Sequence, residues 1–355
     1  MYAVILAGGR GKRFWPVSIS KKPKQFVDID GTDSMLASTF RRISSFIDKD
    51  EIIILTQEGM VDQVIEALPG FDRARVFAEP VGRNTGPSIA AASILIRKFA
   101  GDVPFITCPA DHMIDNVEMF VKASRYAGRL ASENDVLVTF GIKPKFAATG
   151  YGYIETGDTF LSDELDSFRV KSFHEKPDAD TASRYLEAGN FFWNSGIFVW
   201  RPSVFLDSVA RYMPDALVVL NHLEEAIDRG DFDKVFRKEY EKMPSISVDY
   251  GVLEKADNVV TLPVDLGWSD VGSWDALYEL LARDENGNAG RGDYLSVGSK
   301  GNLFFNPDGF VASIDVDDVI VAVLGGAVLV CKRGSSQKVK ELVELMEKRG
   351  LNRFL

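Results

Sequence analysis

The feature that most constrains the fold is an alternation through the first half of the chain, in which short β-branched runs are separated by longer stretches with helical spacing. Positions 3–6, 52–56, 75–77, 103–107 and 136–140 read as strands. Between them, 87–99 is the clearest helix, and 61–68 and 119–131 carry the same apolar period. This β-α-β order predicts an α/β fold with a mostly parallel, helix-covered, Rossmann-like sheet. In such a sheet ligands bind beyond the carboxyl ends of the strands, which directs attention to the loops after Leu6, Phe77 and Thr107.

Past Phe140 the pattern is mixed: 168–173 and 191–200 are strand-like and 211–229 is helical. From about Asn286 glycine and aspartate become frequent, and short apolar runs at 310–314 and 319–323 follow one another, predicting a small β appendage. Helical spacing with mixed charge over 338–349 closes the chain. A length of 355 residues exceeds what one core usually supports, so two domains are expected, 1–285 and 286–355.

A net charge of −11 repels phosphate polymers and argues against a nucleic-acid binder, so any phosphate site must be local. Cys108 and Cys331 follow no framework spacing and read as reduced, buried thiols. The run 2–6 has no basic stretch before it and is too short for a signal peptide, and no apolar stretch is long enough to span a membrane. A cytoplasmic protein without membrane or nucleic-acid partners is expected.

The first strand leads into Leu6-Ala7-Gly8-Gly9-Arg10-Gly11-Lys12-Arg13, followed by Pro16 and by Pro23-Lys24-Gln25-Phe26. Glycines let backbone N–H groups wrap a triphosphate, and Arg10, Arg13 and Lys24 add positive charge. A Walker loop is excluded because Lys12 is followed by Arg13, and a dinucleotide fingerprint because Phe14 stands where its third glycine belongs. Taken alone, the string also fits a tight strand-to-helix turn with surface charges.

The longer string Leu6 to Ser18, with Trp15-Pro16 inside it and Pro23-Lys24-Gln25-Phe26 after it, resembles the signature of the mannose-1-phosphate guanylyltransferases, or GDP-mannose pyrophosphorylases. Further strings resemble the same family in the same order. They are Glu79-Pro80-Val81-Gly82-Arg83-Asn84-Thr85, Pro109-Ala110-Asp111-His112, Phe173-His174-Glu175-Lys176-Pro177, Trp193 to Phe198, and Trp268 to Trp274. The resemblance implies a nucleotidyltransferase domain of GT-A-like fold over 1–285 and a short, left-handed β-helix-like appendage with a terminal helix over 286–355. It also implies GTP and mannose 1-phosphate as substrates, Mg²⁺ as cofactor, and a homodimer.

Residue by residue, the resemblance places the nucleotide at Leu6, Ala7, Gly8, Gly9, Arg10, Gly11, Arg83, Asn84 and Thr85, and the sugar at Gly150, Glu175, Asn194 and Asp249. Asp111 and Asp270 are the expected metal ligands, and Arg13, Lys24 and Lys176 join them as catalytic residues. The chemistry suits such a set, since attack of one phosphate on another brings like charges together and cations must offset the repulsion. Mg²⁺ needs few protein carboxylates when phosphates and waters complete its shell. His112 is assigned a supporting role at most, because the attacking phosphate is already anionic. Two rivals remain open: the same chemistry on another base or sugar, as in glucose-1-phosphate thymidylyltransferase, and a non-catalytic nucleotide-sugar sensor on the same fold.

Overall fold

A computed structural model describes residues 1–355 apart from Arg10, Ser20 and Asp30, and apart from the side chain of Lys12. The chain divides into two compact units. One comprises Met1–Gly8, Thr39–Ala110 and Ile114–Trp268; the other comprises Gly9–Ser38, Asp111–Met113 and Ser269–Leu355.

The strands in chain order are β1 (Tyr2–Leu6), β2 (Ile52–Gln57), β3 (Val76–Glu79), β4 (Phe105–Pro109), β5 (Met113–Ile114), β6 (Leu137–Ile142), β7 (Gly152–Ser162), β8 (Asp166–Glu175), β9 (Phe191–Trp200), β10 (Val259–Pro263), β11 (Trp268–Ser269), β12 (Ala289–Val297), β13 (Leu303–Ile314), β14 (Val319–Leu324) and β15 (Ala327–Lys332). The helices are α1 (Met35–Ser44), α2 (Val61–Ala67), α3 (Thr85–Ala100), α4 (Val117–Glu133), α5 (Ala179–Ala188), α6 (Pro202–Tyr212), α7 (Pro214–Arg229), α8 (Phe232–Glu239), α9 (Trp274–Leu280) and α10 (Val339–Lys348).

Among the described residues of the first unit, nine strands form one sheet in the order β3-β2-β1-β4-β9-β6-β10-β8-β7. Seven run the same way; β8 and β9 run against them. The chain passes from β1 outward through β2 to β3 and then returns to the other side of β1 as β4. That reversal makes the carboxyl ends of β1 and β4 a switch point, where connections leave in opposite directions and open a crevice.

Most residues of β1, β2 and β4 are buried, as a parallel sheet covered on both faces requires. Helix α3 is buried from Gly86 to Ile96, which explains its apolar character on all sides. Trp200 stacks between Phe198 and Phe205, with ring centroids 5.2 and 4.5 Å away, at the centre of this core. The helix expected over 211–229 is two helices instead. Pro214 has no N–H to donate and starts α7, while Met213 before it leaves helical geometry at φ −132° and ψ 55°.

In the second unit, β12, β13 and β14 pair in parallel and β15 closes antiparallel on β14, giving the expected β-helix-like appendage. Buried asparagines tie its coils together: Asn302 donates to the Asn288 side chain at 3.0 Å and to the Val316 carbonyl at 2.8 Å. The 9–38 segment shares this unit's core. Phe14 packs on Trp274 with centroids 4.9 Å apart, Trp15 donates to the Phe354 carbonyl at 2.7 Å, and Arg291 pairs with Asp28 at 2.7 Å. Both cysteines are free, with Cys108 buried and Cys331 only half-buried. Among the described residues no helix is long and apolar enough to cross a membrane.

Candidate active site

The loop after β1 is anchored before it reaches its glycines. Ala7 N donates to the Leu55 carbonyl (2.7 Å), Thr56 Oγ1 to the Ala7 carbonyl (2.9 Å) and Gln57 Nε2 to the Gly8 carbonyl (3.1 Å), so Leu6, Ala7 and Gly8 leave the sheet in a fixed direction. Chain neighbours aside, no atom of the described residues lies within 4 Å of where a Gly9 side chain would begin. Gly11 has φ +58°, and a Cβ there would fall 2.5 Å from the Lys24 Cβ, so both backbone and space demand glycine. Arg10 lies outside the described residues.

The loop after β3 ends in Asn84, whose positive φ of 69° places its side chain to accept from Thr85 N and cap α3. Thr85 Oγ1 accepts from Val248 N at 2.9 Å, and Arg83 donates to the Glu241 carbonyl. At the end of β3 the Glu79 carboxyl is buried, and one of its oxygens accepts from both Ser88 and Tyr240. Burial raises its pKa, against the pull of those two donors. Its other oxygen faces Gly8, 3.7 Å from where a Cβ would lie. Sequence reasoning quoted Glu79 but gave it no role, because Tyr240, which orients it, is 161 positions away.

Within the second unit one ammonium gathers the carboxylate loops. Lys24 is buried, and its Nζ donates to the Asp111 carbonyl (2.9 Å), to Asp111 Oδ2 (3.0 Å) and to the Asp270 carbonyl (2.6 Å). Burial alone would raise the Asp111 pKa, but Lys24 and His112 outweigh it and hold the group below its usual range, so it is ionised at neutral pH. Asp270 sits in a tight turn: its Oδ1 accepts from Gly272 N at 2.9 Å, and a Cβ on Gly272 would meet Oδ2 at 2.6 Å. Between them Val271 has φ +43°, a strained position for a β-branched residue. Arg13 Nη1 reaches the Gly272 carbonyl at 3.4 Å. Among the described residues no group of three or more His, Cys, Asp or Glu is placed to cage a metal. The hard oxygens of Asp111 and Asp270 suit a cation that takes most of its ligands from phosphates and water.

In the first unit, the Glu175, Lys176, Asn194 and Asp249 side chains form two pairs, Lys176 with Glu175 and Asn194 with Asp249. Lys176 has φ +51°, and its ammonium pairs with Glu175 Oε1. Asn194 Oδ1 accepts from Thr139 Oγ1 (3.0 Å), which turns its Nδ2 to donate to Asp249 Oδ1 (3.0 Å). Asp249 begins a short π-helical turn, Asp249–Leu253, of the kind found often at functional sites. Gly150 is exposed, with open space around it; the crowded glycine is Gly152, where a Cβ would meet Glu175 Oε2 at 2.5 Å. Tyr151, Trp193 and Trp268 line up beside this cluster, with ring centroids 5.0 and 5.3 Å apart.

A switch-point crevice, a glycine-rich loop and paired aspartates on one lysine define a class of enzyme that handles nucleoside phosphates. The chain belongs to the nucleotidyl transferase family, whose model matches residues 2–287, and residues 292–346 match the MannoseP isomerase/GMP-like beta-helix domain. More particularly, it is 38% identical over 347 residues to a mannose-1-phosphate guanylyltransferase of Salmonella montevideo, covering 96% of this chain and 73% of the relative. It is 35% identical over 355 residues to mannose-1-phosphate guanylyltransferase 2 of Escherichia coli O157:H7, covering 97% and 73%. A crystal structure described as mannose-1-phosphate geranyltransferase from Thermus thermophilus superposes with a TM-score of 0.86 at 29% identity, covering 98% of this chain and 99% of that one.

Proposed function

We propose that the chain is a mannose-1-phosphate guanylyltransferase, joining GTP to mannose 1-phosphate with release of pyrophosphate. The observation that carries the reading is the Lys24 cluster, where one buried ammonium brings the Asp111 and Asp270 loops together. A sugar-phosphate oxygen attacks the α-phosphorus in line, the bond to the β-phosphate breaks, and no covalent enzyme intermediate forms. The nucleophile is already anionic, so no general base is required.

The roles rest on the family resemblance, with the contacts described above in support. Leu6 to Gly11, with Arg10 and Arg13, receive the triphosphate, and Arg83, Asn84 and Thr85 complete the nucleotide loop. Glu79 presents a carboxyl oxygen suited to the N–H donors on the edge of guanine, which supports GTP as the substrate. Lys176 clamps the sugar phosphate, while Glu175, Asn194, Asp249 and the backbone at Gly150 hold sugar hydroxyls. Asp111 and Asp270 are the residues that would hold Mg²⁺, which when bound offsets the negative charge gathering on the phosphates. Lys24 keeps their two loops together.

A homodimer in the cytoplasm completes the proposal. Leu295, Val297, Phe310 and Ile314 leave an exposed apolar face on β12 and β13 that supports contact with a second copy, and two free cysteines suit a reducing compartment. The decisive assay offers four nucleoside triphosphates with several hexose 1-phosphates and follows pyrophosphate. GTP is expected to exceed dTTP and UTP in kcat/KM by at least about tenfold, roughly 1.4 kcal/mol of transition-state binding. A preference for dTTP with glucose 1-phosphate would move the chain to the rival branch, and no pyrophosphate at all would leave the sensor.

A further inference from the structure

Beneath the loop that carries Asp111 lies a buried polar pair with no part in the roles above. Thr39 and Arg42 stand one turn apart on α1, and both are buried, at 1% and 8% exposed. Arg42 Nη2 donates to Thr39 Oγ1 at 2.9 Å, which turns the hydroxyl proton toward the Ala110 carbonyl, 3.3 Å away. Arg42 Nη1 reaches the Ile114 carbonyl at 3.4 Å, and the guanidinium lies over the Phe120 ring, 5.6 Å from its centroid. The two carbonyls that receive these donors flank Asp111 in the chain, one immediately before it and the other three residues after.

Strand β4 ends at Pro109 and β5 begins only at Met113, so the backbone of 110–112 lies outside both strands and must find other partners where it is buried. Ala110 N is satisfied by the Leu6 carbonyl at 2.9 Å, and Asn116 N by the Leu266 carbonyl at 3.0 Å. The Ala110 and Ile114 carbonyls accept from side chains of α1. Burying a guanidinium for this purpose is expensive, and an apolar side chain of similar volume would commonly stabilise the fold as well or better. A rigid loop is what the charge supplies in return.

We infer that Thr39 and Arg42 are positioning residues for Asp111, fixing the 110–114 loop so that the carboxylate stands in one place for a divalent cation. The inference rests on the reading of Asp111 as a metal ligand. Arg42 donates to the Ile114 carbonyl and to Thr39, so its effect passes through the backbone on either side of Asp111.

The test uses the full chain and Mn²⁺ alone as the probe, with bound ion counted by electron paramagnetic resonance and folding checked by circular dichroism. Thr39→Val, which keeps size and loses the hydrogen bonds, is expected to weaken Mn²⁺ binding by about tenfold, as does removal of an outer partner at a metal site. Thr39→Ser restores the hydroxyl and the affinity. Arg42→Met behaves as Thr39→Val does, and Arg42→Lys recovers part of the loss. In turnover assays the same variants need more Mg²⁺ for half-maximal rate and approach the parent kcat when the ion is saturating. A folded Thr39→Val protein that binds Mn²⁺ as the parent does, while Asp111→Asn has lost it, overturns the inference alone. Unchanged binding in Asp111→Asn overturns the metal reading, and this inference with it.

Discussion

At Asp249 burial and the negative charge of Glu175 push in the same direction, and together they raise the pKa of the carboxyl to about 6 against the opposing pull of its own backbone N–H and Lys176. A folded pKa above the ordinary 3.8 means the folded chain holds this proton more tightly than the unfolded chain. The group therefore favours folding at low pH and loses that contribution as pH rises from about 4 through about 6. Asp249→Asn removes the ionised form, so the variant should melt above the parent at pH 8, with a smaller advantage at pH 5. An equal difference at both values would show that the carboxyl is not the source. The variant should also raise KM for the sugar phosphate, because the Asn194–Asp249 pair has lost its charge. Asp111 has the opposite sign: Lys24 holds its pKa down, so it is charged at neutral pH and available to a cation. Asp111→Asn and Asp270→Asn are each expected to cut turnover on the order of 100-fold or more while the fold persists, since each removes charge stabilisation at the reacting phosphates. Near-parent rates in both variants would remove the metal assignment.

At the scale of elements, strands β7, β8 and β9 meet so closely that one missing side chain shapes the proposed sugar site. A Cβ at Gly152 would lie 2.5 Å from Glu175 Oε2 and 3.3 Å from the Asn194 Cβ. Gly152→Ala should displace the Glu175 carboxylate and raise KM for the sugar phosphate several-fold with little change for GTP. Gly150→Ala, with open space around it, serves as the comparison, and equal effects from the two would refute the packing argument. The sequence announced β1, β2 and β4 because both faces of those strands are buried and their apolar runs are continuous. Strand β7 was not announced: it is buried only over its first three residues and then exposes polar ones, leaving no period to read. Helix α5 buries only Ala182 among its described residues, too little for an apolar stripe. Legibility of the site followed the same logic. Glycine spacing drew attention to Gly11 and the family resemblance to Asp111 and Lys176, whereas Glu79 with Tyr240, Thr139 with Asn194, and Gly152 with Glu175 depend on long-range neighbours that no local pattern encodes.

At the scale of the whole molecule, a division of the chain near residue 287 invites the expectation that 1–287 is a self-sufficient enzyme and the appendage an accessory. The packing of the second unit argues otherwise. Phe14, Trp15 and Val17, which follow the glycine-rich loop, are buried in one cluster with Phe305, Ile320 and Leu329 of the β appendage and Val343 and Met346 of α10. Trp274 joins them from both directions, donating to the Trp15 carbonyl at 3.1 Å and packing on Phe305 with centroids 5.3 Å apart. Cutting the chain after residue 287 would strip the appendage from that cluster and leave Phe14 and Trp15 facing water. The loss is expected to reach the proposed metal site because Lys24 and Asp270 belong to the same unit. A 1–287 protein is therefore expected to be inactive even where its nine-stranded sheet folds, and circular dichroism would show retained structure beside absent pyrophosphate release. Phe305→Ala tests the same idea without truncation: it should cost about 3–5 kcal/mol of stability, the usual range for a buried phenylalanine, and weaken GTP binding although Phe305 is far along the chain from every proposed nucleotide contact. A soluble 1–287 protein with the turnover and GTP affinity of the full chain would show that the appendage merely accompanies the catalytic loops.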